Sequence, residues 1–183
     1  MRHDMRHFLN NLQDMLANGD IENARAYLNS ITEQTEPPVI KRYCANPLIN
    51  TVLSHYAKLF EDLGVDFECN VMILAELKCS EAEFTSLLAN ALDNAFNATN
   101  ELVKENKNAG AAVKLKLTLN DEKLLLSLQN PYTGGLTFLN GAPVATQKGH
   151  GFGTESIRYT AQKLGGQCQF SATNGLFVLR VVI

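Results

Sequence analysis

Residues 83–97, EFTSLLANALDNAFN, constrain this chain more than any other stretch. Phe84, Leu87, Leu88, Ala91, Leu92 and Ala95 recur at steps of three and four. That spacing predicts a helix with one buried face. At about 100° per residue, Asn90, Asn94 and Asn97 share the opposite face, with Glu83 two turns earlier on the same stripe. A solvated helix face normally carries Lys, Glu and Arg, and Asn is a mediocre helix former. Carboxamide oxygens in a row suit a hard, hydrated cation such as Mg²⁺, and the amide protons suit phosphate oxygens. An Asn-rich wet face is the plainer alternative, and the helix alone leaves both open.

A chain of 183 residues holds one well-buried domain and a small appendage. The net charge of −3 and the lack of a basic block argue against nucleic acid as a partner. No apolar run approaches the roughly 18 residues of a membrane span. MRHDMRHF at the start is not a signal peptide, because no apolar core follows its basic residues. Cys44, Cys69, Cys79 and Cys168 are scattered without a CxxC pair and read as reduced, packed thiols. A cytosolic protein is expected.

Residues 3–35 predict a helical hairpin. Met5, Phe8, Leu9, Leu12 and Leu16 form one apolar stripe, and Ile21, Ala24, Leu28 and Ile31 another. Gly19 suits the left-handed position after the first helix and Asp20 the cap of the second. Two such helices cannot bury both stripes alone, so a dimeric four-helix bundle is the natural completion. His3 and His7 lie nearly opposite the first stripe, which disfavours a core role. Asp4 beside His3 can take the imidazole proton and leave the other nitrogen nucleophilic, although a solvated histidine has the same pattern.

Glu36-Pro37-Pro38 reads as a linker. A helix is expected over 46–63 through Leu48, Val52, Leu53, Tyr56 and Leu59, with His55 structural or solvated. A strand at 66–73, the Asn-bearing helix to about 103 and a polar loop at 104–110 follow. Alternation predicts a hairpin of strands at 111–119 and 122–130, turning at Asn120-Asp121 and ceasing to pair at Asn130-Pro131. Residues 131–150 lack periodicity and read as a mobile or functional loop. HGFGTES at 150–156 then opens a helix. Glycines entering a helix N-terminus offer free N–H groups to phosphate, yet glycines also serve plain turns. A closing hairpin at 167–173 and 176–183 turns at Thr173-Asn174-Gly175. The order predicts an α+β sandwich, with helices on one face of a mostly antiparallel sheet.

In this order the segments resemble the GHKL ATPase region of sensor histidine kinases, over essentially the whole chain. NALDNAFNA at 90–98 resembles the N-box, and GHGFGTESI at 149–157 the G2 box, with the ATP lid before it. RHDMRHFLNNL at 2–12 resembles the phosphoacceptor helix of the quorum-sensing type of Gram-positive sensor kinase. The resemblance implies an N-terminal α-helical hairpin (1–36) for dimerisation and histidine phosphotransfer. It implies a GHKL ATP-binding domain (37–183), a two-layer α/β sandwich with a mixed, mostly antiparallel sheet.

It further implies ATP and Mg²⁺ as cofactors. Asn90 would bind the metal, Asn94 the phosphates or metal, and Asn97 would stand at a phosphate contact. Gly151 and Gly153 would let the backbone approach the phosphates, with His150, Thr154 and Ser156 beside them. His3 would be the phosphorylated residue and Asp4 its base. The implied partners are a response-regulator receiver domain and a second copy through the hairpin. The implied setting is the cytoplasmic fragment of a membrane-anchored receptor.

Three positions depart from the family pattern. The DxGxG box is missing, and Asn130, at the end of the corresponding strand, is expected to accept a hydrogen bond from the adenine amine in its stead. His7 stands where a water-orienting Thr, Asn or Gln is usual, and Ser86 where several members have a carboxylate. Two other readings are carried. One is a phosphorelay or docking module with a degenerate nucleotide fold. The other is a GHKL switch kinase phosphorylating Ser on a partner protein.

Overall fold

The structure is a computed structural model, which describes residues 2–32, 42–74, 76–105, 110–133, 135–139, 141–144 and 152–183. The chain divides into two compact units, Met1–Pro38 and Val39–Ile183.

The first unit is two helices, α1 (Arg2–Ala17) and α2 (Ile21–Thr32). Gly19 takes φ +73°, which costs a residue without a Cβ little. The turn then closes as a Schellman motif: Asp20 N–H donates to the Met15 carbonyl at 2.9 Å and Gly19 N–H to Leu16 at 3.1 Å. Asp20 caps α2, accepting from the Asn23 backbone and side chain. Leu9, Leu16, Ile21 and Leu28 remain exposed, as the unfilled stripes predicted.

The second unit begins with α3 (Pro47–Asp62). The Asn46 side chain caps it, accepting from Ile49 N–H at 3.0 Å, and Pro47 sits where a helix needs no donor. This cap sets the phase of the helix. Ile49, Leu53, Tyr56 and Phe60 face the core, whereas Leu48, expected in the stripe, is exposed. Asn50 is also buried, and its Oδ1 accepts the Tyr43 and Cys44 backbone N–H groups. His55 is exposed.

Strand β1 (Asp66–Met72) leads to α4 (Glu81–Lys104), capped by Ser80. Strands β2 (Ala112–Asn120) and β3 (Lys123–Pro131) form the first long hairpin. Asn120 pairs with Lys123, so the turn is Asp121-Glu122, one residue later than expected. Both turn residues have φ above zero, the condition for a two-residue turn that matches strand twist.

Pairing also continues past Asn130. Pro131 registers with Leu176, and Tyr132 N–H donates to the Gly175 carbonyl. Leu124 and Ile183 exchange both backbone bonds, so even-numbered residues of β3 donate away from β2. Pro131 therefore lacks its N–H on the β2 side, one step beyond the last β2 partner, Gln129.

Within 131–150, read as a loop, lies a small hairpin of β4 (Thr137–Leu139) and β5 (Ala142–Val144), with Gly141 at φ +73° in its turn. Three-residue strands are too short for alternation to register in sequence. Helix α5 (Phe152–Lys163) and the hairpin β6 (Gln167–Thr173) and β7 (Leu176–Val182) complete the unit.

The main sheet has the order β1-β2-β3-β7-β6, parallel only between β1 and β2. This is the mixed, mostly antiparallel sheet expected. Helix α4 packs between α3 and α5 on one face. Phe84, Leu87, Leu88 and Leu92 meet Leu115, Leu117, Leu126 and Leu128 in one core. Each fully buried Leu or Phe contributes about 1.5–3 kcal/mol, so α4 is anchored by its apolar face and its polar face is fixed in turn.

Candidate functional site

The polar face of α4 is the candidate site. Burying Leu87, Ala91 and Leu92 turns Asn90, Asn94 and Asn97 outward. Asn90 and Asn94 are half-buried and Asn97 exposed. The first two meet the start of α5. Asn90 Nδ2 donates to Ser156 Oγ at 3.1 Å, a contact across 66 positions of sequence. A Cβ added to Gly153 would overlap the Asn94 carboxamide, so Gly153 leaves the space that this side chain fills. Thr154, beside Gly153, is half-buried. Asn90 and Asn94 of α4 thus meet Ser156 and Gly153 at the start of α5.

Asn130 reaches the core side of β3 and is 3% exposed. Its Nδ2 donates to the Pro131 carbonyl at 2.9 Å, which uses one of its two amide protons and leaves the oxygen as an acceptor. His150 and Gly151 lie outside the described residues. His3 and Asp4 lie on α1, with side chains outside the described set.

The other flank of α4 carries a contact that sequence reading did not assign. Tyr56 O–H donates to Asp93 Oδ1 at 2.5 Å. Burial, then the hydrogen bond and charge of Asp93, push the Tyr56 phenol well above its ordinary value, so it stays a donor. Asn46 Nδ2 donates to Glu81 Oε1 at 2.9 Å, and Lys163 of α5 pairs with Glu83. Three polar ties therefore fix the Asn-bearing helix against its neighbours. Burial pushes the Cys44, Cys79 and Cys168 thiols up, in keeping with packed, reduced cysteines.

A hard cation fits this donor set. Asn90 and Asn94 offer neutral carboxamide oxygens, and the space reserved by Gly153 keeps Asn94 at the α5 N-terminus, where the helix dipole favours phosphate. Among the described residues no cluster of three or more His, Cys, Asp or Glu could hold a metal. The arrangement suits a metal carried in with phosphate rather than an all-protein cage.

Residues 80–183 match a family described as the GHKL domain. No curated protein matches the chain. Among solved structures, the catalytic domain of histidine kinase ThkA is similar at 18% identity and a TM-score of 0.54, covering 74% of this chain and 90% of that one. Acinetobacter baumannii histidine kinase AdeS is similar at 14% identity and a TM-score of 0.53, covering 99% and 96%. At these identities the likeness is one of fold.

Proposed function

We propose a function from one premise: this chain belongs to the GHKL domain family. Its activity in this reading is ATP-dependent autophosphorylation of His3, followed by transfer to an aspartate on a response-regulator receiver domain. The observation that carries the reading is the convergence of Asn90 and Asn94 with Ser156 and Gly153 at the start of α5. The fold likeness to histidine kinase catalytic domains supports it.

Asn90 and Asn94 would hold Mg²⁺, which when bound neutralises charge on the triphosphate. The N-terminal amides of α5, with Thr154 and Ser156, would hold the phosphates, helped by His150 and Gly151 before them and Asn97 beside them. Asn130, with its oxygen as acceptor, would take the adenine amine. Asp4 would accept the N–H of the His3 imidazole. The other imidazole nitrogen would attack the γ-phosphorus as the bond to the β-phosphate oxygen breaks and ADP leaves.

The exposed Leu9, Leu16, Ile21 and Leu28 support a hairpin that pairs with a second copy. Among the described residues no helix is long and apolar enough to cross a membrane.

The test is incubation with Mg²⁺ and ATP labelled at the γ-phosphate, comparing wild type, His3→Gln and Asn90→Ala. Acid-labile, alkali-stable label that both variants lose is the expected result. Label kept by His3→Gln on an added partner would indicate a switch kinase. Absence of ATP binding would leave the docking module.

A further inference from the structure

The face of the sheet turned away from the helices has its own chemistry. Alternation puts Asp66, Glu68, Asn70 and Met72 of β1 on it, with Lys114, Lys116 and Thr118 of β2. Lys123, Leu125, Ser127 and Gln129 of β3 and Val178, Arg180 and Val182 of β7 continue it. The register aligns Asn70, Lys116, Ser127, Arg180 and Gln169 in one row across all five strands. Lys116 and Arg180 bracket Ser127 from two strands about 10 Å apart. Beside this row lies a depression of about 500 Å³, lined by Glu68, Asn70, Lys114, Lys116, Ser127 and Gln129.

The charge on this face runs against the chain. Overall, 16 Lys and Arg are outnumbered by 19 Asp and Glu. Here Lys114, Lys116, Lys123 and Arg180 face only Asp66 and Glu68. Glu68 is spent on Lys114, at 2.7 Å. Among the described residues, Lys116, Lys123 and Arg180 have no carboxylate partner. Solvated sheets usually place opposite charges on neighbouring strands, and this row places cations without them.

We infer that this open face is a docking surface for an acidic segment of a protein partner, with carboxylates at Lys116, Lys123 and Arg180. The carboxamides of Asn70, Gln129 and Gln169 are suited to bond its backbone. Met72, Leu125 and Val182, in the adjoining row, give apolar contact beside the charges, the mixture found at protein interfaces. Nucleic acid fits poorly, because Phe67, Phe170 and Phe177 alternate to the helix side and the described strand residues leave this face no aromatic ring for stacking. A bilayer fits poorly too, because three unpaired cations attract it only weakly. The inference is independent of the kinase reading.

The test is an amide-shift titration of the full chain with four probes: polyglutamate, polyglutamine, phosphatidylserine vesicles and oligothymidylate. Polyglutamate is expected to shift the amides of residues 114–118, 127–129 and 178–182. Lys116→Glu with Arg180→Glu should weaken it roughly tenfold or more and make polylysine bind instead. Lys116→Gln with Arg180→Gln keeps side-chain bulk and should give an intermediate loss. Shifts elsewhere, unchanged binding in the charge-reversed chain, or preference for vesicles or oligothymidylate would each overturn the proposal.

Discussion

The two units solve the same problem differently. In Val39–Ile183, Ile49, Leu53, Phe60, Phe84, Leu87, Leu88 and Leu92 are all fully buried, because a sheet takes up the stripes of three helices. In Met1–Pro38, Ala24 is the one buried side chain among the described residues, and Leu16 and Ile21 are 50% and 58% exposed. Both units carry amphipathic helices of similar length, so helix propensity does not separate them. What separates them is whether the chain itself supplies the surface that each stripe needs. Among the described residues the first unit leaves its stripes open, whereas the second closes a core.

The comparison breaks most readily in the core. Leu88→Ala should cost about 2–5 kcal/mol, because Leu88 is fully buried in the core under α4 and its packed neighbours fill the lost volume only in part. Chemical denaturation of the full chain would show it, and a loss under about 1 kcal/mol would mean a looser core than its burial indicates. Gly166→Ala comes next. Its Cβ would run into the Val182 carbonyl, which is backbone and cannot turn aside, so a loss of about 1–3 kcal/mol is expected.

Tyr56→Phe probes how the core is tied to the site. Losing a hydrogen bond to a carboxylate costs about 1.5–3 kcal/mol. The folded phenol is raised above the unfolded value of about 10, so its contribution is complete below pH 10 and declines as pH rises above it. The stability gap between wild type and Tyr56→Phe should be flat from neutral pH to about 10 and narrow beyond. A gap that widened there would show the bond is not made by the neutral phenol.

Gly153→Ala should do less to stability and more to the site. The atoms that its Cβ meets are the end of the Asn94 side chain, which can swing away. Unfolding should shift by less than about 1 kcal/mol, while Mg-ATP affinity falls on the order of tenfold as Asn94 leaves its place. Equal losses in both would make Gly153 a packing residue only.

The sequence shows the parts of the molecule that follow from periodicity. The stripe of α4, the alternation of β2 and β3 and the Asn174-Gly175 turn all needed only short-range chemistry. What escaped depends on partners far apart in sequence. Leu48 has the right spacing for the α3 stripe, yet the Asn46 cap, the burial of Asn50 and the Asn46–Glu81 bond set that helix in a different phase. The Tyr56–Asp93 bond joins residues 37 positions apart, and nothing local marks either as paired. The β4–β5 hairpin is too short to alternate. At the site, Asn90, Asn94 and Gly153 were readable as candidates, but only the packing of α5 on α4 brings them together.

The smallest expected effect tests the unfinished unit. Leu16→Asp removes an exposed apolar side chain, so the folded monomer loses little and the unfolding of Val39–Ile183 should be unchanged. If the stripes of α1 and α2 are buried against a second copy, the same substitution places a carboxylate in that interface. Sedimentation at several concentrations should then show wild-type chain associating and the variant remaining a monomer. Association that survives Leu16→Asp would place the contact elsewhere. A fall in the melting of the second unit would show that the hairpin is already covered by its own chain, and the contrast between the two units would be lost.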